Sequence, residues 1–121
     1  MGISSGSSNI EWVPNTDIYE TESSIFVRLE MAGVSREDVQ INLADRTLSV
    51  RGKRMDSCRK APCQFRQMEI HYGLFERKIV IPRNVDHKKV KANYRNGFLI
   101  IELPKVIKSN PVPMKVDIEE D

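Results

Sequence analysis

Cysteine is scarce: Cys58 and Cys63 are the only two in 121 residues, too few for a disulfide scaffold. Long apolar runs are missing. Stretches such as "FLII" and "IVI" fall far short of the roughly 20 residues a membrane-spanning helix needs. The opening "MGISSGSSNI" has no basic n-region and no apolar h-region, so it does not read as a secretory leader. There is no charge imbalance either. With 19 Lys and Arg against 17 Asp and Glu the net charge is +2, which calls for neither nucleic acid nor an anionic membrane as partner. The basic runs "RKIV" and "DHKKVK" lack interleaved stacking aromatics and read as solvated faces. A cytoplasmic location with two reduced thiols is the expectation, with a reversible Cys58–Cys63 disulfide as the alternative.

What is present is a globular composition. Apolar residues make up 40% and charged residues 30%, and a chain of this length buries about two-thirds of its unfolded surface, enough for one core without staples. The apolar pattern has period two. "SIFVRLEM" sets Ile25, Val27, Leu29 and Met31 on one face; "VQINL" does the same with Val39, Ile41 and Leu43. "TLSVRG", "LFERKIVIP", "VKANYR" and "FLIIEL" continue the alternation, and "SRED" suits one short helical turn. The spacing predicts six or seven short strands and an all-β, immunoglobulin-like sandwich. Asn96-Gly97 has the spacing of a two-residue type I′ hairpin turn, whose central residues both need positive φ. Phe98 and Ile100 make "FLIIEL" apolar on its second face as well, which predicts that this face is covered.

Residues 53–72 form a connection of about twenty residues, too long to be structureless inside a compact domain. "CQFRQMEIHY" within it has the composition of a strand with no place in the home sandwich. One outlet is pairing with another chain, with residues 12–19 as the receiving edge. Residues 1–11 read as a short flexible arm, residues 12–105 as the domain, and residues 106–121 as an extended tail. In that tail Pro111 and Pro113 disfavour ladder pairing, and Val116 and Ile118 point to one side of an extended chain, a pattern suited to strand addition in a groove. The eleven residues from Lys105 to Lys115 span up to about 35 Å, enough to reach a neighbouring subunit.

No catalytic constellation accompanies His71 or His87, and Cys58-x4-Cys63 lacks a second pair to complete a zinc site. An enzyme is not expected, and neither cofactor nor metal is called for.

Four stretches resemble the α-crystallin domain of the small heat-shock proteins, in particular its plant and bacterial branch. They are "NTDIYETESSIFVRLEMAGVSREDVQINL", "TLSVRGKR", "FRQMEIHYGLFERKIVIPRNVD" and "VKANYRNGFLIIELPK". The last contains the family's A-x-x-x-N-G-[VF]-L signature through Ala92, Asn96, Gly97 and Leu99. Ala32 stands where the family usually has proline, and the polar arm before Trp12 departs from the family's long apolar one. The resemblance implies a strand-exchanged homodimer with Asp17, Ile18, Tyr19, Phe65, Gln67, Glu69 and Arg77 at the interface. Arg77 would pair with an acid such as Glu69 or Asp56 of the partner. It also implies a tail-binding groove formed by Val39, Ile41, Leu43, Val90, Ala92 and Tyr94, with Val116 and Ile118 as anchor. The hairpin's second face would then be covered by the docked tail. The implied function is an ATP-independent holdase for unfolded proteins, assembling as a homodimer or a larger homo-oligomer. A CS-domain co-chaperone adaptor is the alternative, and a generic sandwich interaction module a third reading.

Overall fold

Alternation fixes which face each strand buries. In the computed structural model, which describes residues 9–56, 61–107 and 116–119, β2 (Ser24–Glu30) turns Ile25, Val27 and Leu29 into the core and Arg28 and Glu30 to solvent. β7 (Phe98–Pro104) pairs with it antiparallel and buries Leu99, Ile101 and Leu103 in the matching phase. These two strands are the centre of a four-stranded sheet. β1 (Thr16–Glu20) flanks β2, and β6 (Lys91–Arg95) flanks β7.

The second sheet has three strands in the order β3 (Val39–Ala44), β4 (Thr47–Arg54) and β5 (Gly73–Val80). Leu48 and Val50 of β4 and Phe75 and Ile79 of β5 face the first sheet and complete one continuous core with Met31, Val34, Ile81 and Val85. Burial of this kind is worth about 1.5–3 kcal/mol per large side chain before ordering costs. The all-β sandwich expected from the alternation is therefore present, and the "SRED" turn appears as a single 3₁₀ turn over Arg36–Asp38.

The β6–β7 hairpin closes as its Asn-Gly pair requires. Asn96 has φ 53° and Gly97 φ 81°, both in the left-handed region. Gly97 is doubly constrained, because an added Cβ there lies 3.2 Å from the Ala32 backbone. The carbonyl of Gly97 accepts a 2.7 Å hydrogen bond from the Met31 amide, so this turn is fastened to the end of β2.

Before β1, Trp12 bridges to Phe75 and packs its ring 5.0 Å from the Phe75 ring. Residues 61–72 adopt no strand. Strand formation needs a neighbouring strand to take up the backbone groups, and among the described residues no strand pairs with residues 61–72.

Candidate functional site

β3 and β6 are the outer strands on one side of the sandwich, each in a different sheet. Their core-facing residues are only half covered. Ile41 sits opposite fully buried Val50 in the ladder, yet Ile41 itself is 37% exposed. Ala92 and Tyr94 lie opposite buried Ile101 and Leu99 in the same way. The result is an apolar groove of about 290 Å³ between the two sheets, lined by Val39 and Ile41 from β3 and by Ala92, Tyr94 and Leu99 from the hairpin. Arg36 and Asn93 complete the lining. Leu43 and Val90 do not line it but pack against the core beside it. The Tyr94 hydroxyl donates to the Met31 carbonyl at 2.7 Å, which orients the ring along the groove. Arg36 and Asn93 escape the sequence reading because one lies in an irregular turn and the other is in the solvent phase of β6.

The expected cover over the hairpin's second face lies elsewhere. Phe98 and Ile100 are on the outer face of the four-stranded sheet, where the sequence reading had the tail docking, whereas the groove opens on the core-facing side at Leu99. Phe98 remains 41% exposed. Its local partner is Arg28, whose guanidinium lies 5.8 Å from the Phe98 ring and 5.9 Å from the Tyr19 ring. Arg28 also meets Asp17 at 2.7 Å, and that hydrogen bond raises the guanidinium's pKa above its ordinary value. The second apolar face is therefore dressed by a cation stacked on aromatics.

β1 is the other outer strand of the four-stranded sheet. Ile18 and Tyr19 on it are exposed, and Tyr19 stacks on Phe26 at 5.0 Å. The connection that would meet it is also exposed, with Phe65, Met68 and Ile70 all open to solvent. Within that connection the Gln67 amide donates to the Glu69 carboxylate. Arg77 is opposite Val50 on the core-facing phase of β5, half-buried at the rim, and forms no ion pair among the described residues. A cation placed in an apolar phase at an edge fits an acid supplied from outside.

Both feet of the connection are fastened by Arg54, which sequence reasoning missed. Arg54 ends β4 opposite Gly73, the first residue of β5. Its Nε donates to the His71 carbonyl at 2.8 Å and its Nη1 to the Ala32 carbonyl at 3.2 Å. The guanidinium lies over the Trp12 ring at 4.1 Å and near the Tyr72 ring at 5.5 Å. The Trp12 indole in turn donates to the Gly73 carbonyl at 2.9 Å. A basic residue after a glycine in a strand carries no periodic signal that would announce such a clasp.

Val116 and Ile118, expected as the anchor, are 77% and 91% exposed. Cys63 is an exposed thiol, while Cys58, Pro111 and Pro113 lie outside the described residues. Among the described residues no group of three or more His, Cys, Asp or Glu side chains is placed to hold a metal, and no helix is long and apolar enough to cross a membrane.

The two-sheet sandwich thus has an open apolar groove on one side and an unpaired strand edge on the other. Residues 17–119 match the Hsp20/alpha crystallin family. The chain is 34% identical over 103 residues to Small heat shock protein C4 of Rickettsia felis, covering 85% of this chain and 63% of that protein. It is 34% identical over 101 residues to Heat shock protein 16 of Schizosaccharomyces pombe, covering 82% of this chain and 71% of that protein. Among solved structures, Heat shock protein 16.0 from Schizosaccharomyces pombe superposes with a TM-score of 0.74 at 32% identity, covering 90% of this chain and all (100%) of that one. A small heat-shock protein from Xylella fastidiosa, described as having a distinct high order structure, gives a TM-score of 0.76 at 26% identity, covering 89% and 99%. The chain belongs to the Hsp20/alpha crystallin family. It spans 63% and 66% of the length of the two Rickettsia felis relatives it matches.

Proposed function

We propose that the chain is an ATP-independent holdase that binds partly unfolded proteins and keeps them from aggregating in the cytoplasm. The observation that carries this reading is the groove between β3 and β6, where core-phase side chains such as Ile41 stay open to solvent. An unfolded chain presents extended apolar segments, and a groove between two sheets takes an extended strand with alternate side chains inward. Capture by burial alone breaks no bond, so it calls for neither nucleotide nor cofactor.

Residues 12–105 form the binding domain in this reading, and residues 106–121 its tail. Val116 and Ile118 fill the groove of another copy when no client is present, which keeps an adhesive surface covered. Burying both is worth about 3–5 kcal/mol before ordering costs, so each contact stays exchangeable and a closed assembly holds by avidity. The dimer beneath this assembly forms by exchange of the segment around Phe65, Gln67 and Glu69 onto the partner's β1 edge at Asp17, Ile18 and Tyr19. Arg77 there meets an acid of the partner. The exposed apolar side chains of that segment and the open edge of β1 support this arrangement.

Two measurements test the reading. Turbidity of a heat-labile enzyme is expected to fall in the presence of this protein without nucleotide, and no suppression at several-fold molar excess refutes the holdase. Val116→Ser with Ile118→Ser is expected to reduce larger assemblies to dimers in size-exclusion light scattering, with the circular dichroism spectrum unchanged.

A further inference from the structure

We infer that the root of the N-terminal arm, Glu11 and Trp12, is a latch on the start of β5, and that its release unzips β5 from Gly73 and so lengthens the connection over residues 55–72. The latch is read from contacts within one chain; only its consequence for the connection rests on the strand-exchange reading above.

β5 is an outer strand of the three-stranded sheet, with β4 on one side only. At its start the arm root takes the other side. The Glu11 and Trp12 amides donate to the Leu74 carbonyl at 2.8 and 3.3 Å, and the Leu74 amide donates to Glu11 Oε2 at 2.8 Å. Trp12 Nε1 donates to the Gly73 carbonyl, and Arg54, paired with Gly73 across the ladder, rests its guanidinium on the Trp12 ring. The arm does not run on as a strand. Its bridge to Phe75 is a single pair, and by Thr16 the chain has joined the other sheet as β1. A contact this short opens and closes as one unit.

Gly73 has φ +101°, a conformation that L side chains rarely adopt. A Cβ there would lie 1.6 Å from Glu11 Oε2, so the carboxylate fills the space that the missing side chain leaves. Packing does little to hold this end of the ladder, because Leu74 and its partner Lys53 are both exposed. Phe75 is the first residue of β5 in the core. It is locked against Gly52, where an added Cβ would lie 2.6 Å from the Phe75 ring. Unzipping therefore runs from the Arg54–Gly73 pair through the Lys53–Leu74 pair and stops at Phe75. It adds residues 53–54 and 73–74 to the connection, about 13 Å of reach for an extended chain.

The consequence is an arm that meters the connection. With Glu11 and Trp12 seated, the exchanged segment hangs from short, fixed feet. With them unseated it gains slack, and it leaves a partner's edge without straining the ladder behind it. One net hydrogen bond corresponds to about fivefold in an opening equilibrium. Loss of either side-chain bond of the latch is therefore expected to raise opening of the Arg54–Gly73 pair, and with it exchange of subunits, about fivefold.

The test uses the full chain and two readouts. Hydrogen exchange, resolved to single residues by mass spectrometry, follows the Arg54 and Gly73 amides, a ladder pair that Glu11 itself does not bond, with the β7 amides as the measure of global opening. Native mass spectrometry follows subunit exchange between unlabelled and ¹⁵N-labelled protein. Glu11→Ala removes the carboxylate, and Trp12→Phe keeps a ring on Phe75 but loses the indole donor. Glu11→Gln keeps an acceptor oxygen for the Leu74 amide, and Ile101→Val loosens the core away from the latch. The expected result is about fivefold faster exchange at Arg54 and Gly73 in Glu11→Ala and Trp12→Phe, with β7 unchanged in Glu11→Ala and subunit exchange faster by a similar factor. Glu11→Gln is expected to stay near wild type, and Ile101→Val to leave the Arg54–Gly73 pair as slow as in wild type. If Glu11→Ala leaves that pair as slow as in wild type, or Ile101→Val speeds it equally, the arm root is only a plug on the core and the latch is overturned. If the pair opens faster while dimers trade subunits at the wild-type rate, the arm does not meter the connection and the inference is overturned with strand exchange intact. If wild type forms no dimer, the strand-exchange reading fails and the consequence with it, while the amide rates still decide the latch.

Discussion

Replacing Arg54 with alanine removes the clasp that holds both feet of the 55–72 connection. The loss is calculable from its contacts. The cation over the Trp12 ring at 4.1 Å is worth about 0.5–1 kcal/mol at a partly exposed site. The hydrogen bonds to the His71 and Ala32 carbonyls are worth about 0.5–1.5 kcal/mol each, toward the low end because the group is only half-buried. Arg54→Ala should therefore cost about 2 kcal/mol, or about 8 °C in Tm for a domain of this size. Arg54→Lys keeps a cation near Trp12 but has no planar fork to bridge two carbonyls, and should cost about 1 kcal/mol. The assay is thermal unfolding at one fixed chain concentration, because self-association makes Tm concentration-dependent. Trp12 is the single tryptophan, so its emission reports the clasp directly. It should shift red in Arg54→Ala as the indole loses its cover. An Arg54→Ala protein that melts within 1 °C of wild type with unshifted emission would refute this account of the clasp.

Three further outcomes follow from the fold. Gly97→Ala places a Cβ 3.2 Å from Ala32 at a φ of +81°, and should cost about 1–2 kcal/mol by chemical denaturation. Ile101 is fully buried at the centre of β7, so Ile101→Ala should cost about 2–5 kcal/mol in the same measurement. Deleting residues 57–68 and closing the loop should give monomers in native mass spectrometry, and dimers of unchanged affinity at micromolar concentration would rule out strand exchange.

Much of the sandwich was legible because half-buried strands write their faces into alternation. Ile25, Val27 and Leu29 of β2 and Leu99, Ile101 and Leu103 of β7 are buried in the phases their spacing predicts. The Asn96-Gly97 turn was legible for another reason, because few residue pairs tolerate two successive positive φ angles. The groove was legible in part. Val39, Ile41, Ala92 and Tyr94 line it, but Leu43 and Val90 belong to the adjoining core. Arg36 and Arg54 were not legible, since both act from turns or strand ends where no period applies, and the partners of Arg54 are distant backbone carbonyls and aromatic rings. Phe98 and Ile100 misled because alternation shows that two faces are apolar without showing what covers each. On the outer face the cover is a stacked arginine from the neighbouring strand.

Met31 joins two hydrogen bonds that belong to opposite sides of one backbone unit. Its amide donates to Gly97 in the hairpin turn, and its carbonyl accepts from the Tyr94 hydroxyl in the groove. The β6 jaw of the groove is thereby cross-braced to the middle of the molecule. Among the described residues the β3 jaw has its ladder to β4 and the packing of Val39 and Leu43 on the core, with no such side-chain brace to its carbonyls or amides. A strand entering between them meets one stiff jaw and one compliant jaw, so accommodation of thicker or thinner side chains falls on β3. In the proposed docking, such a clamp would gauge its occupant from a fixed reference edge and adjust with the other, so that one groove would accept sequences of differing bulk without loosening the core behind it.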